Sequence, residues 1–128
     1  MYSPLFWIEW LDRLDRVLTS ARQDVAVLKR AISPRSLESI ERSKRQLAAL
    51  INDLRLLDRN VLAAGGQTGA DNLQKALDAT VVQLTSLAAI PAASAPGALD
   101  RMLVTSDSAL RDSCYEAAML LAPSRRRA

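Results

Sequence analysis

Histidine is absent from the 128-residue sequence, which removes the side chain best suited to proton transfer near neutral pH. Ser-His-Asp and Cys-His nucleophile activation, His-containing zinc sites and the Glu-x-x-His di-iron motif of helical bundles are excluded with it. The single thiol, Cys114, has Asp112 and Glu116 as near neighbours in sequence. Acidic surroundings disfavour a thiolate, and Cys114 falls on the apolar stripe of a predicted helix, where it reads as a small hydrophobe. Acids are followed one turn later by arginines at Glu9/Arg13, Asp12/Arg16, Glu38/Arg42 and Glu41/Arg45. Such pairs keep a carboxylate ionised and give no general acid. Gly65-Gly66-Gln67-Thr68-Gly69 has the glycine content of a phosphate loop, but it follows a predicted helix rather than a strand and lacks the Lys-Ser/Thr ending. It reads as a linker. The expectation is a protein without catalytic residues, metal site or cofactor, and not an enzyme.

The side chains left over are suited to binding. Tyr2, Phe6, Trp7 and Trp10 are four of the five aromatic residues, and clustered rings are common anchors of interfaces because they bury much area at little entropic cost. Trp7 falls in the main apolar seam; Phe6 and Trp10 fall off it and are open to exposure, although Trp10, with Val17 and Ala31, also widens the apolar face of the first helix. These four are the candidate partner-binding residues, against the plainer reading that they plug the end of the fold. Arg125, Arg126 and Arg127 could touch a phosphate backbone. A sequence-specific nucleic-acid binder should also carry a basic recognition helix, so the arginines read first as a solubilising tail.

The elements that position these residues are helical. Trp7, Leu11, Leu14, Leu18, Ala21, Val25, Leu28 and Ile32 recur at alternating steps of four and three, and Ile40, Leu47, Leu50, Leu54, Leu57 and Val61 keep the rhythm with Ser43 in the missing seat. That spacing keeps one seam facing a partner helix. It predicts helices over 3–32 and 34–63, joined at Ser33-Pro34, where the proline stops one helix and the serine hydroxyl caps the next. So short a connection folds the two back antiparallel. Leu37, Ala48, Ile51 and Leu62 widen the apolar face of the second. A third helix, opened by Asp71 with Gln74 as a capping box, buries Leu73, Leu77, Val81, Leu84 and Ala88 and ends near Pro91. A fourth, over 97–121, buries Leu99, Leu103, Leu110, Cys114, Ala117 and Leu121 and is closed by Pro123.

The fold class expected is therefore all-α: an antiparallel four-helix bundle over residues 1–122, with a long hairpin of helices 1 and 2, shorter helices 3 and 4, and a basic tail over 123–128. One end of the long hairpin should then project beyond its cover, leaving an apolar seam for a partner.

Composition agrees: 49 % apolar and 24 % charged residues describe an ordinary globular chain. The net charge of +3 comes from the terminal arginines, while residues 1–62 are basic and 63–124 acidic. No apolar run approaches the ~20 residues of a membrane span, the start lacks a signal peptide's charged n-region, and one cysteine cannot form an intrachain disulfide. A soluble, cytoplasmic protein is expected. Ile40-Glu41-Arg42-Ser43, Leu50-Ile51-Asn52-Asp53-Leu54 and Leu57-Asp58-Arg59, within 36–60, resemble the second helix of histidine-kinase dimerisation domains. The resemblance implies a scaffold of paired hairpins; with no histidine to accept a phosphoryl group it carries no activity.

These readings converge on a non-catalytic interaction module (adaptor, chaperone or inhibitor) that presents a helical face to a protein partner or a second copy. The alternatives are a sensory bundle holding a small ligand near Thr80, Ser106 and Ser113, and a nucleic-acid accessory protein. Deleting residues 123–128 should leave folding and partner binding intact. Nucleic-acid binding that weakens on deletion, with a salt dependence flattened by up to about three counterions, would instead assign the tail to that partner.

Overall fold

The computed structural model describes residues 4–30, 32–56, 66–89 and 96–127. It contains α1 (Pro4–Arg30), α2 (Pro34–Leu56), α3 (Gly66–Ala88) and α4 (Pro96–Arg127), and no strand among the described residues. Pro4, Pro34 and Pro96 each open a helix, at the position where a missing N–H costs least. α2 starts on a reciprocal cap. The Ser36 N–H donates to Ser33 Oγ at 3.1 Å while the Ser33 N–H donates to Ser36 Oγ at 3.0 Å. Serine thus fills the seat that Glu or Gln takes in the usual capping box.

α1 packs on α2, α2 on α3, α3 on α4, and α4 back on α1, so the four helices close a bundle. Asp24 and Ser43, nine and ten residues from Ser33, lie side by side, as in an antiparallel hairpin, and Thr80 on α3 meets Ser113 on α4. The buried seats follow the three–four alternation in every helix. They are Leu11, Leu14, Leu18, Ala21, Val25 and Leu28 in α1, and Ser36, Ile40, Ser43, Leu47, Leu50 and Leu54 in α2. α3 contributes Ala70, Leu73, Leu77, Thr80, Leu84 and Leu87, and α4 Leu103, Ser106, Leu110, Ser113, Ala117 and Leu120.

Several expectations are corrected. Helices 3 and 4 are not the short pair: α2 and α3 each have 23 residues, α1 has 27 and α4 is longest with 32. The argument for a projecting, uncovered hairpin end falls with them. α3 begins at Gly66, so Asp71 lies inside the helix and the glycine-rich stretch is largely helical. α4 continues through Pro123 to Arg127, so the expected stop at Pro123 does not hold. In α3 the seam runs through Thr80 and Leu87, whereas Val81 and Ala88 pack at its edge. In α4, Ser106, Ser113 and Leu120 occupy seats, with Leu99 and Cys114 at the edge. Ile32 is 41 % exposed and belongs to no seam. The seats expected at Leu57, Val61 and Leu62 lie outside the described residues, as does the side chain of Leu121.

The early start of α3 has a packing cause. A Cβ on Gly69 would come 2.7 Å from Leu120 Cδ2, so the missing side chain lets α4 approach α3 closely, with buried Ala70 next along. Glycine in a helix interior costs about 1 kcal/mol relative to alanine, which the closer approach must offset. Gly69→Leu should destabilise the fold by ~1–3 kcal/mol through overpacking, read by urea unfolding. Gly69→Ala should be nearly neutral, its helix propensity set against the shift forced on Leu120.

Candidate interaction surface

Polar atoms inside the bundle are the first place to look for chemistry. Thr80 Oγ1 donates within hydrogen-bond distance to the carbonyls of Ala76 at 2.8 Å and Ala109 at 3.0 Å, and lies 2.8 Å from Ser113 Oγ. The expected inward placement of Thr80, Ser106 and Ser113 is correct, since all three are buried. The first two polar groups of that set to meet, Thr80 and Ser113, join α3 to α4 and are saturated by each other and by backbone. Ser106 Oγ has no partner among the described residues. Between α1 and α2, Ser43 Oγ donates to Asp24 Oδ2 at 2.8 Å. Both contacts tie one helix to its neighbour, and in the Ser43–Asp24 pair a hydroxyl meets a carboxylate.

The ionisable groups agree. Glu41 is held below the usual carboxylate range, first by the hydrogen bond from Lys44 and then by the nearby charges of Lys44 and Arg45. Lys44 Nζ lies 2.8 Å and Arg45 Nε 3.5 Å from Glu41 Oε1, so the lysine ends on its own helix's carboxylate instead of in open water. Arg55 reaches Asp78 at 3.3 Å between α2 and α3, an exposed pair of small energetic weight. Burial pushes the half-buried Cys114 thiol up, with Asp15 and Asp107 adding to the effect, against the attraction of Arg22, which hydrogen-bonds it. No group of three or more Cys, Asp or Glu side chains capable of holding a metal occurs among the described residues.

The sequence-predicted aromatic site is divided by the structure. Trp10 is 1 % exposed and packs in the core, which fits its place on the widened apolar face and not the exposed-anchor alternative. Its large ring widens the seam beside Leu11 and Leu14, the plugging role. Tyr2 lies outside the described residues, as do the side chains of Phe6 and Trp7 and those of Arg125, Arg126 and Arg127.

A different surface stands out. On α4, Val104, Tyr115 and Met119 are 70 %, 63 % and 56 % exposed. At ~100° per residue they fall on one stripe, with Ser108 and Arg111, on the side of the helix opposite Leu110, Ser113 and Ala117. A groove of about 820 Å³ lies on the α1 side, with Val25 and Leu103 at its floor and Arg22, Lys29, Asp107 and Arg111 along its walls. A second of about 380 Å³ lies on the α3 side among Ala76, Ala79, Thr105, Ala109 and Asp112. Val104 and Ser108 border both. The outer crest of α4 is thus a ridge between two grooves, with Val104, Tyr115 and Met119 as its apolar members and Ser108 and Arg111 among them. The outer faces of α1 and α2 instead carry Glu9, Arg13, Arg16, Glu38, Arg42 and Arg45. The signal was present in the sequence: Val104, Tyr115 and Met119 fit no seat of the α4 seam, yet share one helical face.

No family model, curated protein or solved structure matches this chain. The likeness of residues 36–60 to histidine-kinase dimerisation hairpins gains nothing from these comparisons, and the α1–α2 seam is covered by the chain's own α3 and α4. No helix of the described residues is long and apolar enough to cross a membrane.

Cys114 supplies a direct check of this environment. Its folded-state pKa is raised, so the native protein holds the thiol proton to higher pH than the unfolded chain. Stability from this group is then full at neutral pH and declines as pH rises through the ordinary cysteine range at ~8.5 and above. Alkylation by iodoacetamide should be slower in the native protein than in urea, with its pH midpoint shifted upward. A native midpoint below that of the unfolded chain would contradict it.

Proposed function

We propose that this chain is a non-catalytic interaction module whose contact surface is the outer face of α4 with the grooves beside it. One observation carries the reading: Val104, Tyr115 and Met119 are exposed in line on a helix that already buries a complete seam on its other side. Large apolar side chains kept in water along one face are costly unless something covers them. A ridge flanked by grooves suits another helix, because helix surfaces interlock ridge to groove. The occupant is accordingly a helical face of a protein, with apolar residues for the stripe and charges for its mixed rim. The saturated Thr80–Ser113 pair and the ion-paired acids support a non-catalytic role over the alternative of a ligand-holding core. The proposed setting is the cytoplasm, where a single thiol stays reduced.

Placing a photoreactive benzoylphenylalanine at Tyr115 and, separately, at exposed Gln23 on α1 tests the surface inside the native cell. Covalent protein adducts are expected from position 115 and not from position 23. Adducts equally abundant at both, or none at 115, would overturn the assignment of α4.

A further inference from the structure

We propose that the partner of this α4 face is a second copy of the chain, docked antiparallel about a two-fold axis that passes between Ser108 and Arg111. The inference rests on the interaction-module reading and names its partner.

A two-fold contact requires one surface to be complementary to itself, so that each residue meets its counterpart after reversal of the helix. α4 satisfies this at three levels. Along the crest, reversal about the midpoint of Ser108 and Arg111 sets Val104 of one copy against Tyr115 of the other, twice. The small Ser108 lies close to the axis, where two helices must approach most nearly. Along the edge facing α1, the same operation sets Asp107 level with the other copy's Arg111. These two are already paired within each helix at 3.0 Å, and the axis brings the two pairs together with opposite charges adjacent. Arg101, at the same angular position on the helix as Met119 and on the α3 side of the crest, comes within reach of Glu116 of the other copy, and the Ala76–Ala79 groove receives the neighbouring ridge. A two-fold perpendicular to the helices keeps like edges together, so both charge pairings hold at once. Parallel docking would lose this: it sets Val104 on Val104 and Tyr115 on Tyr115 and turns the α1 edge of one copy towards the α3 edge of the other, so neither pairing forms.

A contact built on α4 and its flanks is at the small end of specific interfaces, so association should be reversible and concentration-dependent. Sedimentation velocity of the purified full chain at low salt, from about 1 to about 500 µM, should show a monomer–dimer equilibrium, as ordinary for dissociation constants in this range. Tyr115→Arg should abolish the dimer. Arg101→Glu should raise the dissociation constant at least about tenfold, since the two-fold makes each like-charge clash occur twice. Arg101→Glu combined with Glu116→Arg should restore it. Circular dichroism should show that these substitutions, two at exposed Arg101 and Tyr115 and one at half-buried Glu116, leave the fold intact. A chain that stays monomeric throughout, a dimer indifferent to Tyr115→Arg, or a double swap that fails to restore association would each overturn the proposal. The interaction-module reading fails separately: a monomeric chain that still gives adducts to another protein from position 115 removes the second copy as partner while leaving the surface assigned.

Discussion

A hydroxyl set among leucines costs free energy until another polar atom meets it, and that requirement governs how these helices align. Leucine against leucine tolerates small slips along the helix axis; a hydrogen bond does not. The 2.8 Å contact from Ser43 to Asp24 and the 2.8 Å contact between Thr80 and Ser113 each hold one hairpin in register. Sliding either pair by a seat would break that contact and leave Ser43 or Ser113 to find another partner, and a buried hydroxyl left without one costs roughly 1–3 kcal/mol. The leucine seats supply most of the apolar burial, and the few polar seats select one alignment from those the leucines would permit.

The same distinction explains how much was legible in the sequence. Leucine spacing in α1 and α2 is regular, and the seams there were read nearly seat for seat from Leu11 to Leu28 and from Ile40 to Leu54. In α3 and α4 the true seats include Thr80, Ser106 and Ser113. Searching for apolar residues alone shifts each seam onto Val81 or Cys114. Gly66 and Gly69 carry a local signal for a loop, yet the gain from close α3–α4 packing is a tertiary effect that no local propensity contains. Trp10 fell off the ideal stripe but is buried, because a large ring widens the sector a helix can hide.

The candidate surface is harder to read from the sequence for a related reason. Clustered aromatics near the start of the chain draw attention by composition, while Val104, Tyr115 and Met119 are dispersed and become a stripe only when placed on a helix whose inner seats are known. Once they are, the two hairpins differ in character. The outer faces of α1 and α2 bear mainly charge, with Val27 and Leu56 exposed singly, and that of α4 bears Val104, Tyr115 and Met119 in line beside Arg111.

The reciprocal Ser33–Ser36 cap has a consequence in time as well as in structure. Its hydrogen bonds join residues three apart in sequence, so they need no other helix to be in place. The first turn is the costly step in helix formation, and here local bonds and Pro34's fixed backbone angle both reduce the entropy lost in it. α2 therefore carries its own nucleation site, and the turn that brings α1 and α2 together is set by nearest neighbours. A chain whose first long-range contact follows from so local an event has little loop to close before its leucines meet, which places this bundle among topologies that fold quickly.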